Sequence, residues 1–224
     1  MTKVIYTEKY AAYLEVEHVI NLLTTQQKTL LDFLIDKHGD QKRKYTNEPY
    51  MVHCLRIVDT LNTYLRREHA SYFPWIEIAL CHDVLEDTDC TIPELTQFLH
   101  AIGYYDLNMM NIVSTVIELT NVYTSDNFPT INRSSRNVQE LVRLKSISAP
   151  AATVKYADIK DNIRNIIFLD PDFARIYLPE KLEILQNQRK GNLMLLAVTY
   201  GEVQSEINKL DYMLNAKNSV NPIK

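Results

Sequence analysis

The stretch Ile78-Ala-Leu-Cys-His-Asp-Val-Leu-Glu-Asp-Thr88 places one imidazole and three carboxylates at the end of an apolar run. If the stretch is helical, Asp83 shares a face with Glu86 and Asp87, because three to four residues make about one turn. Burying three acids side by side is unfavourable unless a cation or a reaction compensates for their desolvation and repulsion. The stretch therefore indicates a chemical site at the end of a buried helix.

Two more candidate ligands lie in other apolar, helix-like segments. His53 lies near the start of a segment with a wide apolar stripe, and Asp158 lies in Val154-Lys-Tyr-Ala-Asp-Ile-Lys-Asp-Asn162. With His82 and Asp83 they form a set of two imidazoles and two carboxylates, which suits a divalent ion such as Mn²⁺, Fe²⁺ or Zn²⁺. Coordination beyond four leaves room for water and a substrate oxygen, whereas a closed structural metal site is the alternative.

The composition favours an all-α protein. The 224 residues are 46% hydrophobic and 23% charged, with only 4 Gly and 8 Pro, which is typical of a packed helical chain rather than a turn-rich or disordered one. No internal repeat or low-complexity block divides the sequence. We expect one domain over residues 1–224, with a core at about 20–190 and a C-terminal helical extension at 191–217.

Apolar positions recur at helical spacing along most of the chain, with caps and prolines marking several ends. Residues 16–37 are predicted to form one broken helix or two short ones, and Pro49 and Thr91 are each predicted to start a helix. The other predicted helices are Trp75 to Leu85, 109–119, 134–145, 149–169, 171–185 and 191–214. Loops are predicted at 41–48 and 120–132.

Charge and hydropathy limit the partners. The formal net charge of -4 at pH 7 argues against broad nucleic-acid binding driven by counterion release, although it leaves room for a local basic pocket that takes a phosphorylated small molecule. No segment approaches the roughly 18 uncharged residues of a membrane span, and Cys54, Cys81 and Cys90 lack a Cys-x-x-Cys spacing. We expect a cytoplasmic protein with reduced cysteines, a small-molecule ligand and no nucleic-acid or membrane partner.

With their neighbours, the candidate ligands resemble a known family. His53, the His82-Asp83 pair and Asp158 match the H…HD…D signature of HD-superfamily metal-dependent phosphohydrolases. More narrowly, the chain is similar to the hydrolase domain of RelA/SpoT enzymes and to the small alarmone hydrolases like the metazoan SpoT homologue. The similarity covers about residues 20–190 and is carried, in order, by Arg43-Lys44, Glu48-Pro-Tyr-Met-Val-His53, His82-Asp-Val-Leu-Glu-Asp-Thr88, Glu118-Leu-Thr120, Lys155-Tyr-Ala-Asp-Ile-Lys-Asp-Asn162 and Arg164-Asn165.

The resemblance implies an HD-domain helical bundle and a reaction. That reaction is Mn²⁺-dependent removal of the 3′-diphosphate from guanosine tetra- or pentaphosphate, which releases pyrophosphate and GDP or GTP. The four ligands of the signature would hold the ion, while Glu86 and Asp87 would orient or deprotonate the attacking water. A solvated helix end is the alternative for these two acids. Because the chain ends soon after the hydrolase-like region, we expect removal of the alarmone without its synthesis.

Six further residues are candidates for substrate binding. They are Arg43, Lys44, Asn162, Tyr177, Arg133 and Arg136. The first two match basic residues that line the family's nucleotide pocket, and Asn162 matches an asparagine near the ribose. Tyr177 occupies about the place of an aromatic residue beside the base, with core packing as its alternative. The last two arginines have the position of a phosphate-binding basic element, with a solvated surface as their alternative.

Two other functions stay open at this level. An HD phosphohydrolase acting on another nucleotide, such as the 2′-phosphate of NADPH or a cyclic nucleotide, would keep the same metal centre. A silent nucleotide-binding or scaffold protein is the second, although all four ligands and both acids are present. Asn121, in place of an expected Lys or Asp, and Pro179, within a helix that is continuous in many relatives, leave the choice of substrate less secure than the metal chemistry.

Overall fold

The computed structural model describes residues 10–65 and 73–220, with side chains described as far as residue 216. In this part of the chain a 3₁₀ helix at Ala11–Val16 precedes the α-helices α1 Glu17–Leu22, α2 Thr25–His38, α3 Tyr50–Tyr64, α4 Trp75–Cys81, α5 Val84–Asp87, α6 Ile92–Ala101, α7 Asp106–Leu119, α8 Arg133–Leu144, α9 Ala149–Asn162, α10 Ile166–Leu169, α11 Pro171–Asn187 and α12 Leu193–Val220. The described residues contain no strand, and an isolated antiparallel bridge joins Lys42 to Pro49. The prediction of an all-α fold is confirmed.

Side-chain caps explain where several helices begin. The hydroxyl of Thr24 accepts a hydrogen bond from the backbone amide of Gln27, and the side-chain oxygen of Gln27 accepts one from the Thr24 amide. Thr91 and Ser148 cap α6 and α9 with one such bond each, in which the hydroxyl accepts from the backbone amide three residues later. These caps satisfy amides that lack a partner within their helix, so short polar residues in the sequence set the helix starts.

Two predicted helices are broken in the structure. The segment from Trp75 to Leu85 breaks at His82 and Asp83, which form a turn between α4 and α5. The segment 149–169 breaks because Asn165 adopts a left-handed conformation, with φ of 58°, that an α-helix does not contain. In contrast, α11 continues through Pro179, so this proline does not interrupt the helix.

The described chain divides into two compact units between Asn121 and Val122. In the first unit, α3 packs mainly against α4, and every residue from Tyr50 to Leu55 is buried. Every residue of α4 from Glu77 to Cys81 is buried as well. The two segments that carry His53 and the His82-Asp83 turn therefore lie in the same packed interior.

In the second unit, α12 packs against both α9 and α11. Helix α9 is the most enclosed element here, because every residue from Ala151 to Ile159 is buried. Asp158 thus lies in the interior of this unit. The expected single domain, and the division into a core and an extension, stay predictions. Within the described residues, no helix combines the length and apolar character needed to cross a bilayer.

Candidate active site

Two buried imidazoles lie side by side in the first unit. His53 lies near the start of α3 and His82 directly follows α4, with ring centroids 5.2 Å apart. A ligand nitrogen of each lies within 4.8 Å of the other. The Nδ1 atom of His82 lies 2.9 Å from the carbonyl oxygen of Ala79, and because a carbonyl oxygen can only accept, Nδ1 carries the proton of that hydrogen bond. The Nε2 atom of neutral His82 is then an acceptor.

The Asp83 carboxylate joins these imidazoles. Its Oδ2 atom lies 2.8 Å from His82 Nε2 and 3.6 Å from His53 Nε2. Two acceptors at 2.8 Å repel each other unless a proton or a metal cation lies at the contact. Although burial works the other way, the positive charge that His82 can carry holds the pKa of Asp83 well below its usual range. The donor set of two nitrogens and a carboxylate fits a divalent ion at this position.

Tyr50 links Asp83 to Asp87. The Tyr50 hydroxyl lies 2.7 Å from Oδ2 of Asp83 and 2.5 Å from Oδ2 of Asp87. Burial and the negative charge of Asp83 raise the pKa of Asp87, while the bond from Tyr50 opposes this change. The break at the His82-Asp83 turn preserves the predicted spacing, because the Asp87 amide donates to the Asp83 carbonyl at 2.8 Å. Asp87 is thus a partly desolvated carboxylate beside the candidate ligands.

The carboxylate of Glu86 is hydrogen-bonded to Asn121, which follows the end of α7. Its Oε2 atom accepts a hydrogen bond of 2.9 Å from the Asn121 amide, and its Oε1 atom accepts one of 2.8 Å from the Asn121 side chain. This double contact fixes the plane of the carboxylate. The residue that departs from the family pattern is therefore the one that positions Glu86.

The basic pair Arg43-Lys44 lies in the loop before α3. The Arg43 guanidinium lies over the Tyr50 ring, 5.6 Å from its centroid. That ring also stacks on the His38 imidazole at 4.5 Å and contacts the His53 ring edge-on at 5.9 Å. Lys44 contacts the neighbouring Tyr45, whose hydroxyl is 3.0 Å from the ammonium group. The first of the two basic residues thus lies beside Tyr50, while Lys44 is exposed.

In the second unit, Asp158 is buried among polar partners from its own helix. Lys155 forms an ion pair of 2.9 Å with Oδ2 of Asp158, and Asn162 donates to Oδ1 at 2.5 Å. All three lie on one face of α9 because they are three or four residues apart. Asn162 therefore lies beside Asp158, as its sequence position predicts.

A cluster of aromatic and charged side chains from α8 and α11 includes two predicted substrate residues. Tyr177 stacks on Phe173 with centroids 5.2 Å apart, and the Arg133 guanidinium lies 5.5 Å from the Phe173 ring. Arg133 also binds both oxygens of Glu180, at 3.1 and 2.7 Å. By contrast, the guanidinium of Arg136 donates to the Ile131 carbonyl in the preceding loop, so the structure does not bring Arg136 into this cluster.

No protein-family model matches the chain. A guanosine-3′,5′-bis(diphosphate) 3′-pyrophosphohydrolase of Aquifex aeolicus is 27% identical over 154 residues, covering 68% of this chain and 19% of the relative. A probable enzyme of the same name from Mycoplasma pneumoniae is 27% identical over 157 residues, with 69% and 20% covered. A GTP pyrophosphokinase of Myxococcus xanthus is 26% identical over 147 residues, with 66% and 18% covered. The chain thus spans about a fifth of the length of these curated relatives.

A solved structure has a similar fold. It is that of a metazoan ortholog of SpoT, described as hydrolysing ppGpp and playing a role in starvation responses, and it matches with a TM-score of 0.61 at 21% identity. The match covers 81% of this chain and 94% of that one. The fold is that of an HD-type RelA/SpoT hydrolase domain. This confirms the resemblance carried by the sequence motifs.

Within this HD-type fold, the sequence motifs did not identify three side chains that shape the candidate site. Tyr50 lies inside the Glu48-to-His53 motif, three residues before His53. On a helix this spacing places both side chains on one face, and so indicates that Tyr50 lies beside His53. Lys155 lies three residues before Asp158 in the same way. Lys181 follows Tyr177 by four residues on α11, and its ammonium group lies 4.6 Å from the centroid of that ring.

Proposed function

We propose that this protein is a metal-dependent phosphohydrolase that removes the 3′-diphosphate of guanosine tetra- or pentaphosphate. The observation that carries the proposal is the group formed by the buried imidazoles of His53 and His82 and the partly exposed carboxylate of Asp83 in an HD-type RelA/SpoT hydrolase fold. The reaction consumes one water, breaks the bond between the 3′ oxygen and its phosphorus, and yields pyrophosphate with GDP or GTP. Two curated relatives are named for this activity.

His53, His82 and Asp83 would hold the ion, with Asp158 as the fourth ligand of the signature. The proposed ion is Mn²⁺, since two imidazole nitrogens and two carboxylates suit it, and Fe²⁺ and Zn²⁺ share this preference. The contact of 2.8 Å between His82 Nε2 and Asp83 Oδ2 brings a nitrogen and an oxygen ligand close enough to share one ion. When bound, the ion polarises a phosphoryl oxygen and lowers the pKa of water.

Asp87 is the proposed general base. Its raised pKa makes the carboxylate a stronger proton acceptor than an exposed one, and the Tyr50 hydroxyl holds it in one orientation. A base of this kind accepts the proton of the attacking water while the new bond to phosphorus forms. Glu86 is proposed to orient that water, because both of its oxygens are already held by Asn121 and its direction is fixed.

The proposed substrate residues differ in the support that their contacts provide. Arg43 lies over the ring of Tyr50, whose hydroxyl binds Asp87. A guanidinium is therefore available near the proposed general base. Tyr177 presents an aromatic ring in a basic environment, which suits a purine or a ribose. Asn162 lies beside Asp158 and keeps its proposed role at the ribose. Arg133 lies beside Phe173 and keeps its proposed role at the phosphates. For Lys44 and Arg136 the sequence position is the remaining argument.

A nucleotide panel tests the substrate. The purified protein with Mn²⁺ is mixed with guanosine tetraphosphate, NADPH and cyclic nucleotides, and the products are identified. Release of pyrophosphate and GDP from the tetraphosphate is the expected result. Cleavage of another nucleotide alone would replace the substrate and keep the metal chemistry, whereas no turnover of any nucleotide would favour a silent binding protein.

Conservative substitutions test the two acids. Glu86→Gln and Asp87→Asn keep the shape of the side chains and remove their negative charges, so each variant should lose turnover and still bind Mn²⁺. Calorimetric titration with Mn²⁺ gives the second measurement. A variant with the rate of the unaltered protein would remove that acid from the mechanism.

A cytoplasmic location is part of the same proposal. Cys54, Cys81 and Cys90 are buried and not joined in disulfides. Thiols that stay reduced are typical of proteins in a reducing compartment. Fractionation of cells with an antibody against the protein tests this location.

A further inference from the structure

Lys181 lies half-buried on α11, one turn after Tyr177. Its ammonium group lies over the Tyr177 ring at 4.6 Å from the centroid. Within the described part of the chain, this ammonium makes no hydrogen bond and no ion pair. A cation over an aromatic face gains some energy, but its three N–H donors still need acceptors.

The acidic groups around Lys181 are already engaged by other cations. Asp158 pairs with Lys155 at 2.9 Å, and Glu180 pairs with Arg133 at 2.7 Å. Burial lowers the pKa of Lys181 to about 8, and the positive charge of Lys155 acts in the same direction. The protein thus holds a third cation beside two paired ones without supplying an anion for it. Such an arrangement is costly unless a ligand provides the missing negative charge.

We propose that Lys181 binds a phosphate group of the nucleotide substrate, next to Asp158 and the Tyr177 ring. This inference rests on the proposed function and adds to it a residue that contacts the substrate. A phosphate group offers up to two negative charges and three acceptor oxygens, which match the three donors of an ammonium group. The neighbouring Tyr177 ring offers an apolar face to the base or the ribose of the same ligand.

A lysine that only packs on Tyr177 would give different behaviour. Lysine side chains often cover apolar surface with their methylene groups while the ammonium group stays in water. Replacing such a lysine changes stability but leaves anion affinity alone. The affinity for a phosphorylated ligand therefore distinguishes binding from packing.

The test compares Lys181→Met with Lys181→Arg. Lys145→Met is the matched control, because Lys145 is an exposed lysine in the same unit and its loss changes the net charge equally. Steady-state kinetics with guanosine tetraphosphate and Mn²⁺ gives kcat and KM, and circular dichroism checks the fold of each variant. Lys181→Met should raise KM roughly 10- to 100-fold, the range for one hydrogen bond to a charged group. Lys181→Arg should stay within a few-fold of the unaltered protein, and Lys145→Met should not change KM.

A second measurement separates this inference from the proposed function. Binding of inorganic pyrophosphate is followed by calorimetry, which needs no turnover. Weaker binding by Lys181→Met supports the inference even if the tetraphosphate proves not to be the substrate. Equal binding of pyrophosphate and an unchanged KM would overturn the role of Lys181 while hydrolysis of the tetraphosphate stands. Failure of the unaltered protein to bind pyrophosphate or any nucleotide would also overturn it.

Discussion

The hydroxyl oxygen of Tyr50 lies 2.5 Å from the Oδ2 atom of Asp87. The same oxygen lies 2.7 Å from Oδ2 of Asp83, so one phenol connects the proposed base to a proposed metal ligand. A hydroxyl has a single proton and cannot donate fully to two carboxylates, and two carboxylates this close repel each other. Tyr50 therefore fixes the distance between two groups that would otherwise separate. This makes Tyr50 a positioning residue for the reaction.

Replacing Tyr50 by Phe should lower kcat by roughly tenfold, the effect of one charge-assisted hydrogen bond. Phe retains a ring that can stack on His38, so the fold should persist, whereas Asp87 loses the hydrogen bond from the Tyr50 hydroxyl and becomes more mobile. KM and Mn²⁺ affinity should change little. Kinetics and calorimetry on the variant check this expectation.

Tyr105→Phe is the control for that substitution, because the Tyr105 ring is exposed and lies in the same unit. It should leave kcat unchanged. A Tyr50→Phe protein with full kcat would show that Asp87 keeps its position without the hydroxyl. Equal losses in kcat and Mn²⁺ affinity would instead indicate that the metal ligands had moved.

Replacing Asn121 by Ala should lower kcat by up to roughly tenfold, because the charged carboxylate of Glu86 loses one of two hydrogen bonds, each of about 1.5 kcal/mol. The Asn121 amide still holds Oε2 of Glu86 at 2.9 Å, so the loss should be partial. Asn127→Ala is the control, since that side chain donates to the Val122 carbonyl instead. If both variants retained the same full kcat, the side-chain contact with Glu86 would have no part in turnover.

The segments that carry the candidate metal ligands could be predicted because their signal is local. His53, His82 and Asp83 each stand in an apolar segment where a polar group needs a partner. The structure buries the two imidazoles and leaves Asp83 partly exposed. The spacing from Asp83 to Asp87 survives although the predicted helix breaks there, since the backbone bond between these residues is kept. Short-range periodicity therefore predicted both the segments and the neighbouring acid.

The roles of other side chains depend on packing that no local pattern contains. From sequence, Lys181 is an ordinary helix-surface lysine. Only the fold shows that its ammonium group lies over Tyr177 and is subject to the charges of Lys155 and Asp158. The position of Arg136 near a helix start predicts a role in phosphate binding. Its guanidinium turns back to the Ile131 carbonyl because the loop before α8 brings that acceptor within reach.

Metal binding should stabilise the protein. Ion at about 100 times its dissociation constant adds about 2.7 kcal/mol to the free energy of unfolding, which corresponds to a rise in Tm of roughly 5–10 °C for a chain of this size. His53→Gln and His82→Gln should reduce this rise, because each removes one nitrogen ligand. Thermal unfolding with Mn²⁺, Fe²⁺ and Zn²⁺ ranks the three ions without an activity assay.

His100→Gln is the control for the metal experiment, since His100 is exposed at the end of α6. It should show the full rise in Tm. The rise is compared with each variant's own metal-free Tm, so a loss of stability from the substitution does not affect the result. An unaltered protein whose Tm ignores all three ions would contradict the proposed metal centre.

The pKa of Lys181 predicts how substrate capture depends on pH. The groups that face this amine are Lys155, Asp158, Glu180 and Arg133, and burial with the charge of Lys155 lowers its pKa to about 8. Below pH 8 the amine is charged before the substrate arrives. Above pH 8 it must first take up a proton, so kcat/KM should fall by about tenfold between pH 7 and pH 9 from this group alone.

Lys181→Arg isolates this contribution, because a guanidinium stays charged throughout the range. Other groups, including Asp87 and the metal ligands, affect both proteins alike, so the ratio of the two kcat/KM values reports Lys181. The ratio of the unaltered protein to Lys181→Arg should be constant below about pH 7 and decline above pH 8. Lys181→Met should have a low kcat/KM without this decline. A ratio that stays flat to pH 9 would mean that Lys181 meets the substrate as a fully charged ammonium or does not contact it, and the KM of Lys181→Met distinguishes these outcomes.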